Sequence, residues 1–325
     1  MFAFSKRVRD SSLTAIIPQL SGVSIASVKF DLVNHSKLNH CEFIPWESGK
    51  SQQHALHAQA RRYGLIRKPC TTILEIGDYS ILSVEAPDVP HNELRQAIRW
   101  QIKDLIDFHI DDAVLDVFDA PASGADGRQR NLYVVVTRAS VVQQRIKALQ
   151  EVDINLTTID VPELILRNIA AQLPEDAQGV ATVYLEKDRG LLVLTRNQTL
   201  YLARVLDMGY EDLQQAQSAL GSGRDDALEP PAFNALFDRL VLELQRSMDY
   251  YDRYFVQPPI SSVVFAPLKA EIPGLTDYLA TNLGVKARLL DLNDILVSEQ
   301  PLDTTQQADC LLAIAAAMRV EKKTL

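Results

Sequence analysis

The stretch NELRQAIRWQIKDLIDFHIDDAVLDVF (92–118) constrains the fold more than any other, because it runs one amphipathic helix into one strand with only a charged turn between them. Leu94, Ile98, Ile102, Leu105 and Ile106 recur at the 3, 4 spacing of a buried helical stripe. Glu93, Arg95, Arg99, Lys103 and Asp104 occupy the other faces. A helix that feeds a strand so directly commits the surrounding chain to a mixed α/β arrangement.

The rest of the sequence extends that pattern. VSIASVKFDLV (23–33) alternates well enough for a hairpin, or for two strands broken near Ala26 and Ser27. A helix is expected around 54–63. TTILEI and ILSVEA flank Gly77 and Asp78 and read as two strands joined by a tight turn. PASGADGRQR (121–130) is a polar loop, LYVVVTR a buried strand, and 141–150 a helix. Asp160 ahead of Pro162 has the chemistry of a helix start, with its carboxylate available to unpaired backbone donors. From Gly179, three strands are separated by KDRG and RNQT, which makes a meander. A linker at 221–231 precedes a long helix (233–254), then the strand SVVFAPL, a helix between Pro273 and Gly284, the strand KARLLD and a closing helix after Gln306.

At 325 residues the chain exceeds the size at which one core keeps growing, so two lobes are expected. A net charge of -9 argues against general binding to a phosphate backbone, and so against nucleic acid as a partner. Cys41, Cys70 and Cys310 are odd in number and scattered, which fits a reducing compartment. The apolar run CLLAIAAAM (310–318) is far short of the roughly 20 residues a bilayer-spanning helix needs, so any membrane association is expected through a partner. MFAFSKRVR at the start reads as a flexible arm, or as a weak lipid anchor in which two aromatics insert and three cations meet headgroups.

The wording of 92–118, of FDRLVLELQRSMDYYDRYF (237–255) and of 272–284 resembles the PilM-like actin-fold proteins, which build type IV pili at the bacterial inner membrane. The nearest likeness is to the branch that serves the mannose-sensitive haemagglutinin pilus. The resemblance implies an α/β, actin-like ATPase fold of two lobes with an inserted PilM/FtsA-type subdomain. On that basis 1–158 forms the first lobe with an insert at about 84–156, and 159–325 the second, with a smaller subdomain at about 207–260.

Active members of such a fold hold nucleotide between paired glycine-rich hairpins, because only small residues let backbone amides approach phosphate oxygens. A nearby Asp is needed for Mg²⁺ or its waters. Matched to the family's first D-x-G hairpin, Ser24 replaces the Asp and Ala26 the Gly, while Ser27 and Lys29 stay in step. At the second, Tyr184 and Glu186 replace the Asp and Gly, and Ala266 and Pro267 stand where adenosine would rest on a double glycine. Asp31 and Asp188 are close enough to substitute only if a bulge intervenes. The resemblance therefore implies a vestigial cleft, no catalytic residues, no metal and no cofactor, with Mg-ATP as the alternative. G-x-S-x-G, Walker and Rossmann patterns are absent, and the six histidines make no zinc-protease motif.

What remains is binding. The family resemblance implies a groove between the insert and the first lobe that takes the N-terminal peptide of a membrane-anchored, PilN-like assembly protein, with the cytoplasmic assembly ATPase as a further partner. Trp100 and Phe108 are candidate anchors and Arg99 a polar contact. Trp100 and Phe108 could instead belong to the insert's own core, against Val114, Val117 and Val135. DYYDRYF (249–255) is read as packing at the lobe junction and left outside the site. The implied role is a cytoplasmic scaffold peripheral to the inner membrane. The alternatives are an ATP-driven switch in the same machine or the cytoplasmic platform module of a type II secretion system.

Overall fold

The computed structural model describes residues 12–30, 36–46, 52–66, 68–90, 93–124, 130–221 and 231–319. The N-terminal arm lies outside these residues, as does Asp31.

Two sheets repeat one topology. In the first, β1 (Ser12–Pro18), β2 (Gly22–Phe30) and β3 (Ser36–Pro45) form an antiparallel meander. The strands β4 (Pro69–Ile73) and β8 (Asn155–Asp160) then add in parallel on the β1 side. In the second, β9 (Val180–Leu185), β10 (Gly190–Arg196) and β11 (Thr199–Leu206) form the meander, and β12 (Ser262–Phe265) and β13 (Lys286–Leu289) add in parallel beside β9. The orders are β3-β2-β1-β4-β8 and β11-β10-β9-β12-β13, and the short β14 (Leu296–Val297) caps the first sheet beside β3. The β10–β11 turn places Asn197 and Gln198 at φ 49° and 65°, the left-handed pair that matches a hairpin's twist.

Between β4 and β8 the chain builds a separate antiparallel sheet from β5 (Tyr79–Glu85), β6 (Ala113–Asp119) and β7 (Asn131–Arg138), in the order β5-β7-β6. Helix α2 (Leu94–Ile102) covers one of its faces: Leu94, Ile98 and Ile102 bury against Val84, Val117 and Val134. Helix α3 (Ala139–Gln150) returns the chain to the first lobe, where Leu149, Val152 and Ile154 join Ile16, Val23 and Ile25 and the helix α1 (Gln52–Arg62).

The layers follow from which face of each strand is apolar. Alternate residues of β9 and β10 point to opposite faces. Ala181, Val183, Leu192 and Leu194 bury against α6 (Pro231–Tyr254) and α7 (Leu275–Leu283), and α5 (Tyr210–Gly221) packs on α6. Val180, Leu191 and Val193 face inward, toward α4 (Pro162–Ala170) and α8 (Thr304–Ala317). The closing helix of each repeat crosses to the other repeat: α4 packs on β9, β10 and β11, while α8 packs on β1, β2, β3 and β4. One core therefore spans both lobes. Helix α8 suits that position because it is apolar all round beyond Asp309, with Cys310 to Ala317 buried. Its polar start is held by a capping box between Asp303 and Gln306 at 2.8 and 3.2 Å.

Several expectations are corrected. Residues 23–30 form no hairpin; they belong to one strand paired on both sides, because β1 and β3 flank it. TTILEI and ILSVEA do not pair, since β4 lies in the first sheet and β5 in the small one. Leu105 lies beyond α2 and is 58% exposed, whereas Ile106, also beyond α2, still packs against the insert core. Asp160 caps no helix; α4 starts at Pro162 with Val161 at its N-cap and no side-chain cap, and Asp160 accepts from Val161 N at 2.9 Å and from Arg319 at 2.5 Å.

Candidate functional site

The residues matched to the first nucleotide hairpin lie along β2, not on a turn. The turn itself is 19–22, closed by a Gln19 N to Gly22 O hydrogen bond of 2.8 Å, and it carries no carboxylate. Ser24 and Ala26 face α8 and are fully buried. Ser24 Oγ donates to Asp309 O at 2.6 Å, and Gln19 Nε2 donates to Ser24 Oγ at 2.6 Å and to Asp309 O at 3.1 Å. Ser27 points to the opposite face, into a cavity of about 320 Å³ shared with His40, Tyr63 and Lys68. Lys29 is half-buried at the same strand's end.

The second matched segment approaches α8 from the other lobe. Tyr184, at the end of β9, packs against the shared core, and burial followed by the nearby Glu186 and Asp309 charges raises its phenol. Ala266 N donates to Val183 O at 2.8 Å, with Pro267 next in chain. Lys269 Nζ lies 2.7 Å from Asp309 Oδ1, tying the segment after β12 to α8. Ser24, Tyr184 and Ala266 thus gather around one stretch of α8, whose polar groups are paired internally. Glu186 sits in the β9–β10 turn, where burial first, then Asp188 and Glu75, raise its carboxyl against the pull of Arg189. Arg189 reaches across the lobes to Ile76 O at 2.9 Å, and Asp188 is exposed beside it.

The insert's candidates separate. Arg99 braces its own subdomain, donating to Ala113 O at 3.1 Å and to Ile110 O, so these nitrogens are not held out for a partner. Phe108 packs with the insert core under the Arg138 guanidinium, 4.5 Å from its ring centroid. Trp100 is 70% exposed on the outer face of α2, beside Lys103.

Another cleft lies between the insert and the second lobe. A cavity of about 530 Å³ has β5 on one wall and β11 on the other, with the end of α6 closing one side. Tyr133 Oη donates to Tyr201 O at 2.5 Å, and Gly124 N donates to Tyr254 O at 3.1 Å, joining the two walls. Tyr79 Oη donates to Glu163 Oε2 at 2.5 Å. Glu163 is 5% exposed, and burial pushes its carboxyl above the ordinary range despite the Tyr79 hydrogen bond. DYYDRYF divides between core and cleft: Tyr251 and Phe255 are buried, whereas Tyr250 and Tyr254 stack at 4.3 Å and line the cavity. That aromatic run was the visible signal; Tyr79, Tyr133 and Glu163 carried none.

The fold also joins two of the scattered cysteines. Cys41 on β3 and Cys310 on α8 are neighbours, and their interaction lowers the Cys41 thiol and, with burial, raises that of Cys310. Among the described residues no cluster of His, Cys, Asp and Glu could hold a metal, and no helix is long and apolar enough to cross a membrane.

No family model and no curated protein matches the chain. Among solved structures it is similar to one described as the PilM-PilN type IV pilus biogenesis complex, with TM-score 0.70 and 18% identity over 95% of this chain and 98% of that one. It is also similar to the cytoplasmic domain of EpsL, an inner-membrane component of the type II secretion system of Vibrio cholerae, with TM-score 0.49 and 11% identity over 94% and 95%. A Bacteroides thetaiotaomicron protein with an actin-like ATPase fold gives TM-score 0.47 and 9% identity over 96% and 98%. The chain has the actin-like fold.

Proposed function

We propose that this chain is a scaffold of a type IV pilus assembly platform at the bacterial inner membrane, of the kind that serves the mannose-sensitive haemagglutinin pilus, as MshI does. The supporting observation is the end-to-end match to a chain of the PilM-PilN complex structure, 95% of this chain against 98% of that one. In this reading the chain works in the cytoplasm and is held at the membrane by the N-terminal peptide of a membrane-anchored, PilN-like protein. A short peptide gives backbone hydrogen bonds and a few anchors, enough to hold a protein at the membrane. Trp100 is the anchor on this chain, because its ring is offered to solvent while Arg99 and Phe108 serve the insert.

The chain hydrolyses no nucleotide in this reading. Ser24 stands on β2 with its hydroxyl bonded to α8, and Tyr184 fills space from the other side, so neither supplies an oxygen ligand to a cation. The test is a titration of the chain with the labelled N-terminal peptide of the PilN-like protein. Trp100→Ala is expected to weaken binding at least tenfold with the melting temperature unchanged. Equal affinity for both proteins removes Trp100 from the interface, and no binding by either removes the scaffold reading.

A further inference from the structure

Two of the three free cysteines meet inside the closed core, and the platform reading gives them no role. Strand register places the first. Cys41 on β3 stands opposite Ala26 on β2, and directly opposed residues of neighbouring strands share a face of the sheet. Ala26 is fully buried against α8, so Cys41 is turned toward the same helix, where it packs against the shared core. Helix register places the second. Ser24, on that same face of β2, donates to Asp309 O at 2.6 Å and so pins the start of α8 above the strand, and Cys310 is the next residue.

The two thiols differ in exposure and in acidity. Cys41 is half-buried at the margin of the core, whereas Cys310 is fully buried. Its neighbour Cys310 lowers the Cys41 thiol against burial and the charges of Asp303 and Glu42, while Cys41 and burial together raise that of Cys310. The thiolate is the reactive form of cysteine, and it reacts where it can be reached. Cys41 is therefore the sulfur that meets an oxidant first, with Cys310 beside it to complete the bond. Cys70 lies on the opposite face of the first sheet among Ile16, Ile25 and Leu149, and burial pushes its thiol up to about 11.

We propose that Cys41 and Cys310 are an oxidation site, forming a disulfide with hydrogen peroxide that staples α8 to the first sheet and that external thiols undo. The Cys41 thiolate attacks one peroxide oxygen, the O–O bond breaks, and the other oxygen leaves as hydroxide, which takes up a proton to become water. The Cys310 sulfur then attacks the sulfenic acid at Cys41, the S–O bond breaks, and the hydroxyl leaves with the Cys310 proton as a second water. Two thiols and one peroxide thus become one disulfide and two waters. Two equivalents of an external thiol restore both cysteines through a mixed disulfide. The bond closes a loop of most of the chain, which opposes unfolding. The proposal does not depend on the pilus reading.

The test is oxidation of the folded full chain with hydrogen peroxide, stopped with catalase, then alkylation in denaturant and peptide mapping without reductant. The oxidised chain is expected to keep one alkylatable thiol, Cys70, and to yield a peptide pair joining Cys41 to Cys310. Its urea midpoint is expected to rise and to return on adding dithiothreitol. Cys310→Ala is expected to form no disulfide and to leave Cys41 as a sulfenic acid that dimedone traps, whereas Cys70→Ala is expected to oxidise like the wild type. The melting temperature of each reduced variant reports its folding. Three alkylatable thiols after peroxide, a bond to Cys70 or to a second chain, or an oxidised chain no more resistant to urea than the reduced one overturns the proposal.

Discussion

The second lobe meets the rest of the molecule at two junctions, and they are packed in opposite ways. Around α4 and α8 the inner faces of the two sheets close on one continuous apolar core, with Ala26, Val193, Val264 and Ile314 all buried in it. Between β5 and β11 the contact is a few polar bonds, Tyr133 to Tyr201 and Gly124 to Tyr254, around an open cavity. The first junction is built to stay shut, because opening it exposes apolar surface at about 25 cal/mol per Å². The second can exchange its bonds for those of a ligand at little cost. The second is therefore the junction that can admit a ligand without opening the core.

The sharpest way to break that contrast is to hollow out the closed junction. Ile314→Ala removes a fully buried side chain from α8 and is expected to cost about 2–5 kcal/mol, measured by urea unfolding. Leu202→Ala on the half-buried wall of the open cleft is expected to cost less, because water already reaches it. Equal losses would mean that the two junctions carry equal weight.

The sequence reveals the closed junction far better than the open one. Helix α8 is legible as CLLAIAAAM because a helix apolar on every side has to be buried. The second meander is legible because KDRG and RNQT are strong turn signals and the strands between them are β-branched or apolar. The first meander is not. SLTAIIP is an apolar run without alternation, it ends in Pro18, and Gln19 and Leu20 give no turn signal. Reading the pattern alone therefore puts the hairpin one strand too late, and Ser24, Ala26, Ser27 and Lys29 match a turn they do not occupy. The open cleft was illegible for another reason. Tyr79, Tyr133, Tyr201 and Glu163 come from four separate elements, and only the order of the sheets brings them together. Cys41 and Cys310 meet by the same route, through α8 crossing to the first sheet.

A smaller effect, on the open side, concerns Glu163. Burial raises its carboxyl, with Asp160 adding to the rise and the Tyr79 hydrogen bond opposing it. A carboxyl raised on folding keeps its proton where the unfolded chain has lost it. Stability therefore falls as pH climbs from the ordinary carboxylate range to the folded value, and is flat on either side. Glu163→Gln has no proton to lose and keeps the acceptor for Tyr79. Its stability relative to the wild type is expected to rise across that window, as measured by unfolding at a series of pH values. A constant difference between the two proteins would show that Glu163 ionises as freely in the cleft as in the unfolded chain.

The smallest expected effect, none at all, bears most directly on the contrast. A ligand that binds only the folded state at 100 times its Kd adds about 2.7 kcal/mol. Millimolar Mg-ATP is expected to leave the melting temperature where it is. Entry at the closed junction would have to part Ser24 from Asp309 O and Lys269 from the Asp309 carboxylate, and set the triphosphate beside Tyr184 and Glu186. The 19–22 turn brings no carboxylate to hold Mg²⁺ in return. A rise with Mg-ATP that AMP does not reproduce would mean that the lobes part at α8 after all. The closed junction would then be one state of a switch, and the open cleft a site whose shape that switch controls.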